Sequence, residues 1–253
     1  MRTLKLTIAY DGTRYSGWQV QARAQGHQPT IQGTLERVLA RVLQEPVRVI
    51  GSGRTDAGVH ALAQVAHLRT RSRIPPARLQ QSLSGLLPRD IAVIRVEDAP
   101  SGFHARFDAR RKRYRYRIFT GPVVPPFIRA YVHHVPVRLN ISAMRRELAA
   151  VKGQRDFRAF ARQGGAGRTT VRAISAARLS RQGSELHVEV EGNGFLHTMV
   201  RSIAGTLIDV GRGRLPPGTV RRMLATGERR LAGTTAPPGG LSLVDVSYGG
   251  RDA

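Results

Sequence analysis

Apolar and polar residues alternate near the start of the chain: Leu4, Leu6 and Ile8 are separated by Lys5 and Thr7. This period of two predicts a half-buried strand, which runs into the turn Asp11-Gly12. The period then changes. Ile31, Leu35, Val38, Leu39, Val42 and Leu43 fall at helical spacing within residues 31–44, with arginines opposite, and predict an amphipathic helix. A short strand is expected at 47–50 and a longer one at 61–70, on either side of a glycine-rich loop. Pro75 and Pro76 open a second helix with Leu79, Leu83, Leu86 and Leu87 on one side, ended by Pro88; Ile91, Val93 and Ile94 begin another strand.

The resulting order, β-α-β-β-α-β, can be read again from residue 110. Its second copy comprises a strand at 110–119, a helix at 140–151, strands at 170–181 and 184–191, helices at 195–210 and 217–226, and a strand at 241–248. The expected fold class is therefore α+β, with two related halves, each a split-βαβ, ferredoxin-like unit. The boundary falls between 100 and 110, giving an N-terminal domain of residues 1–105 with the glycine-rich loop and a C-terminal domain of residues 106–253. Loops are expected at 121–126, 164–167 and 234–240.

Charge narrows the class of partner. In 253 residues there are 41 Lys+Arg against 17 Asp+Glu, a formal charge of +24, and only Lys5, Lys112 and Lys152 are lysines. Such an excess calls for a polyanion, with nucleic acid first, and guanidinium forks suit phosphates and base faces. The absence of cysteine excludes disulfides, iron–sulfur clusters, thiol catalysis and Cys-zinc sites. The eight histidines offer no metal-binding helix spacing, and adjacent His133 and His134 point to opposite faces of a strand, so no metal is expected. No apolar stretch approaches a membrane span and the amino terminus lacks the features of a signal peptide; a cytoplasmic protein is expected.

Three segments could carry chemistry. Gly51-Ser52-Gly53-Arg54-Thr55-Asp56-Ala57-Gly58-Val59-His60 boxes an aspartate among glycines, with Arg54 two positions before it. Asp56 is either a structural Asx-turn residue or a reacting carboxylate. In the run from Arg106 to Ile118, strand alternation puts Arg111, Arg113, Arg115 and Arg117 on one face, suited to phosphates. Tyr114 and Tyr116 share the other face, as core or as the floor of a pocket. From Phe195 onward, Met199, Ile203 and Thr206 form the inner stripe of a helix, and Arg201 lies nearly opposite, either solvated or paired with a carboxylate in a cleft. A lone acid argues against a glycosidase pair, and the lack of clustered carboxylates against two-metal nuclease chemistry. A lone aspartate nucleophile remains.

Taken together, these residues resemble the tRNA pseudouridine synthase A family. The likeness is carried by Tyr10-Asp11-Gly12-Thr13, Gly17-Trp18-Gln19, Thr30-Ile31-Gln32-Gly33 and Gly53-Arg54-Thr55-Asp56-Ala57-Gly58-Val59-His60-Ala61. It continues through Phe103-His104-Ala105-Arg106-Phe107, Arg113-Tyr114-Arg115-Tyr116, Asp156-Phe157, Phe195, Met199-Val200-Arg201, Gly205-Thr206-Leu207, and Gly240-Leu241 with Leu243, spanning essentially the whole chain in order.

The resemblance implies a pseudouridine synthase fold, with two ferredoxin-like halves sharing a mostly antiparallel sheet and a central active-site cleft. It implies isomerisation of uridine to pseudouridine at positions 38, 39 and 40 in the anticodon arm of tRNA, without cofactor or metal, by a homodimer whose subunits share the bound tRNA. Asp56 matches the family's nucleophile, Tyr114 its base-contacting tyrosine, Arg201 the basic partner of the aspartate, Arg54 a residue assisting base extrusion, and Leu243 an apolar pocket contact. The Val20 to Pro29 loop is glutamine-rich and long for the family. The rival reading is a non-catalytic RNA-binding protein of paired ferredoxin-like domains. It explains the charge and the Arg/Tyr strand, but not an aspartate set among anion-binding groups.

Overall fold

The computed structural model describes residues 1–20, 28–162 and 169–249. The expected loop at 164–167 and most of the Val20 to Pro29 loop lie outside the described residues. The chain divides into two compact units, Met1–Arg110 with Leu243–Ala253, and Arg111–Ser242. The sequence division keeps residues 106–253 together; in the structure the segment from Leu243 groups with the first unit instead.

The first unit contains β1 (Arg2–Tyr10), α1 (Ile31–Leu43), β2 (Ile50–Gly51), β3 (His60–Thr70), α2 (Pro76–Leu86) and β4 (Ile91–Ala99). Its strands run β4-β1-β3, with β2 also on β3, and β3 is followed by β10 (Leu241–Tyr248). All the pairings of β1 and β2 are antiparallel. Leu4, Leu6, Ile8 and Tyr10 are buried, as the alternation predicts. Thr30 caps α1 by accepting from the Gly33 amide at 3.2 Å, and Ile31, Leu35, Leu39 and Leu43 fill the core.

The strand expected at 47–50 shrinks to β2, because the Val49 amide donates to the Glu36 carboxylate of α1 at 2.9 Å instead of to a neighbouring strand. Leu79 and Leu83 of α2 are buried, whereas Leu86 at the last position of the helix is 42% exposed. Gly85, beside it, has open space where a Cβ would go and no positive φ. Gly85→Ala is therefore expected to raise stability by roughly 0.5–1 kcal/mol, read as an upward shift of the urea midpoint at unchanged m. A lower midpoint would show that the glycine meets a need at this helix end.

The second unit is built on β5 (Ala109–Phe119), β6 (His133–His134), α3 (Ile141–Ala149), β7 (Gly153–Asp156), β8 (Val171–Gln182), β9 (Glu185–Gly192), α4 (Met199–Gly211) and α5 (Thr219–Thr226). The strands run β5-β9-β8-β7 antiparallel, with the short β6 parallel to β5. Helix α4 begins at Met199, not at 195 as expected, because Thr198 adopts a left-handed φ of +62° that no helical turn can include. The Glu147 carboxylate of α3 accepts from the Gly218 and Val220 amides at 2.5 and 2.8 Å and so caps α5, which has no side-chain cap of its own at its N-cap, Gly218. Both units are α+β with mainly antiparallel pairing, and among the described residues no helix is long and apolar enough to cross a membrane.

Candidate active site

Asp56 lies between β2 and β3 in a loop that is fixed on both sides. Immediately before it, Thr55 is held twice: its hydroxyl hydrogen-bonds with that of Tyr10 at 2.8 Å, and its carbonyl accepts from the Trp18 amide at 3.1 Å. Burial pushes the Tyr10 phenol up to about 12, so at neutral pH it keeps its proton. Further back, the fully buried Gln64 amide accepts from the Ser52 hydroxyl at 2.7 Å and donates to the Gly53 carbonyl at 3.0 Å. After Asp56, the Gly58 amide donates to the Tyr15 carbonyl at 3.3 Å, and Val59 closes a turn onto the Asp56 carbonyl at 3.1 Å. Gly58 has a left-handed φ of +75°.

Packing makes this clamp tight. A Cβ on Gly12 would stand 2.0 Å from the Val59 carbonyl oxygen, and one on Gly17 would stand 2.5 Å from that of Thr55. Gly51 lies against the Trp18 ring, which would sit 2.6 Å from a Cβ there. Residues 12–18 and 51–59 therefore form one interlocked layer, in which Asp56 is half-buried and Arg54 exposed. Leu243, on β10 of the same unit, is fully buried.

In the second unit, Tyr114 of β5 is buried and meets Phe195 edge-on, with centroids 4.9 Å apart. Tyr116, two residues on, belongs to the core: its hydroxyl donates to the Pro237 carbonyl at 2.9 Å, and burial holds its phenol above the usual range. Arg201 is not a solvated arginine. Its Nε donates to the Ala236 carbonyl at 2.8 Å, while the Ala236 amide donates to the Arg201 carbonyl at 3.1 Å. The strap formed by residues 233–236 is itself pinned to α4. The Gly233 amide donates to the Thr206 hydroxyl at 3.2 Å and the Thr234 amide to the Asp209 carboxylate at 3.0 Å. Gly205 admits the Thr234 carbonyl where a Cβ would stand 1.7 Å away. Sequence reading singled out Arg201 but missed Asp209 as the support of its strap.

The arginine face of β5 is faced by acids. Arg115 meets Glu189 at 2.7 Å, Arg117 makes a two-pronged pair with Glu185 at 2.9 Å, and Arg111 reaches Glu191 at 3.4 Å. The pair holds the Glu185 carboxyl below its usual range, chiefly through the hydrogen bond from Arg117. Arg113 sits opposite Glu191 and lines a depression with Ala176, Arg178, Glu189 and Glu191. Neighbouring β9 thus supplies a carboxylate ladder that no local pattern around residues 111–117 discloses.

The family model for tRNA pseudouridine synthase matches residues 6–108 and 148–249. Proteins named tRNA pseudouridine synthase A are similar along almost the full chain. That of Geobacter sulfurreducens is 46% identical over 248 residues, 98% of this chain and 100% of the relative. Those of Ruminiclostridium cellulolyticum and Caldicellulosiruptor bescii are 43% and 41% identical, again over 98% of this chain and 100% of each relative. With the clamped aspartate, the motif arginine and the matches covering most of both units, the chain belongs to the tRNA pseudouridine synthase family.

Proposed function

We propose that the protein isomerises uridine to pseudouridine at positions 38, 39 and 40 in the anticodon arm of tRNA. The observation that carries this reading is the Asp56 loop: a half-buried carboxylate on a backbone fixed by Tyr10, Trp18, Gln64 and Tyr15. A non-catalytic RNA-binding role does not call for a carboxylate at this place, since it repels phosphate.

The reaction breaks the N1–C1′ bond, turns the uracil and joins C5 to C1′, with loss of the C5 proton. These atoms are hidden in a stacked nucleotide, so the uridine must first be flipped out, at a cost of roughly a few kcal/mol. The exposed Arg54 enters the space left behind. Tyr114 contacts the base, Leu243 supplies an apolar contact, and Arg201 serves as the basic partner of Asp56. Arg111 and Arg113 act on the RNA backbone, Arg111 exchanging its contact with Glu191 for a phosphate. The carboxylate either attacks C1′ or removes the C2′ proton to give a glycal-like species. Neither route needs a cofactor or a metal. The protein works as a cytoplasmic homodimer whose subunits share the tRNA.

Incubation with unmodified tRNA, followed by chemical mapping of pseudouridine, tests the reading. Adducts are expected at positions 38, 39 and 40, undiminished by EDTA. A wild-type enzyme that leaves those uridines unchanged, or modifies only uridines elsewhere, would refute it.

A further inference from the structure

Residues 103–108 form a turn whose polar atoms are spent on holding it rigid. The Ala105 amide donates to His67 Nδ1 at 3.1 Å, and the Ala105 carbonyl accepts from the Tyr248 hydroxyl at 2.7 Å. Asp108 closes the turn on both sides: its carboxylate accepts from the His104 amide at 2.8 Å, and its amide donates to the His104 carbonyl at 3.0 Å. His104 Nδ1 accepts from the Arg106 and Phe107 amides, each at 3.2 Å. Burial, with His104 alongside, lowers the His67 pKa, so His67 stays neutral and keeps the lone pair that anchors Ala105.

The large apolar side chain this turn leaves in water is Phe107, which is 76% exposed. Its ring is backed by the His104 imidazole, with centroids 4.2 Å apart and planes inclined by 28°, and His104 is itself 4.7 Å from His67. The Arg106 guanidinium stands 5.9 Å from the Phe107 centroid. A phenyl ring held out to water by a fully bonded turn, beside a cation and in a chain of charge +24, fits a nucleobase with its phosphate.

We propose that Phe107 is a stacking platform for an unpaired base of the bound tRNA, with Arg106 on the adjoining phosphate. The inference rests on tRNA being the ligand, but not on any catalytic step. The base lies on the ring, His104 stiffens the ring from behind, and Arg106 supplies the sequence-independent part of the contact.

The test compares Phe107→Ala, Phe107→Leu, Phe107→Trp and Arg106→Ala by their affinity for unmodified tRNA across a salt series. Phe107→Ala and Phe107→Leu are expected to weaken binding about ten-fold with an unchanged salt slope, and Phe107→Trp to stay within about two-fold of wild type. Arg106→Ala is expected to lower the slope by about one. Short single-stranded RNA should lose affinity for Phe107→Ala, while a fully paired duplex should not. Wild-type affinity in Phe107→Ala would overturn the proposal, as would a leucine variant that binds like wild type. So would a tryptophan variant as weak as the alanine one, or an alanine variant that changes the sedimentation behaviour of the free protein, which would point to a protein contact. These affinities are read without turnover, so failure of wild type to form pseudouridine would leave the platform standing.

Discussion

Replacing Asp56 by asparagine is expected to abolish tritium release from tRNA labelled at uridine C5 while leaving tRNA affinity within several-fold of wild type. The exchange keeps size and removes charge, and both routes open to the carboxylate need that charge. A nucleophile that attacks C1′ donates an electron pair to carbon, and a base that removes the C2′ proton donates one to hydrogen. The loss is expected to reach at least about 10,000-fold, roughly 5.5 kcal/mol of transition-state stabilisation. Binding should survive because phosphate contacts dominate affinity for a polyanion, and loss of one negative charge can only favour it.

The same site separates the two routes. Deuterium at C2′ of the target uridine slows single turnover by a primary isotope effect if Asp56 abstracts that proton, and has only a small effect if Asp56 attacks C1′. Turnover retained in Asp56→Asn would end both assignments. Loss of binding together with turnover would instead place Asp56 among the residues that hold the loop.

The sequence discloses what depends on local spacing. Helix α1 is legible because its apolar residues recur at 3.6 and only one side is buried. The four residues of β7, Gly153-Gln154-Arg155-Asp156, carry no apolar alternation and are mostly exposed, so nothing marks them as a strand until β8 is alongside. Phe195 fits the i, i+4 pattern of α4 with Met199 and Ile203, yet lies outside the helix, since periodicity is blind to the left-handed Thr198. At the site, Asp56 and Arg54 stand out by their glycine setting. Their supports do not, because register places them: β1 pairs with β3 so that Ile8 faces Gln64 and Tyr10 faces Ala61. The arginine row of β5 is equally plain in the sequence, while its glutamate partners follow only from the pairing of Arg113 with Glu191 and Arg115 with Glu189.

The packing of residues 12–18 on the Asp56 loop makes a residue far from Asp56 in sequence a control on its position. Gly17 has a left-handed φ of +87°, and an added Cβ would stand 2.5 Å from the Thr55 carbonyl oxygen, 3.0 Å from the Asp56 carbonyl carbon and 3.1 Å from the Ala57 nitrogen. All three are backbone atoms of the Asp56 turn, so no side-chain rotation relieves the contact. Gly17→Ala is expected to displace the turn by a sizeable fraction of an ångström and to lower kcat about 100-fold, with tRNA affinity little changed. Stability should fall by about 1–3 kcal/mol from left-handed strain and overpacking. Gly102→Ala, which meets nothing within 4 Å, serves as the control and should keep full activity. Thr55→Val loosens the same turn from the other side by removing the hydroxyl bond to Tyr10, without backbone strain, and is expected to cost roughly five-fold in kcat. If Gly17→Ala fails to fold, the valine variant decides. Full kcat there, in a folded protein, would mean that the Tyr10–Thr55 clamp does not position the Asp56 carboxylate.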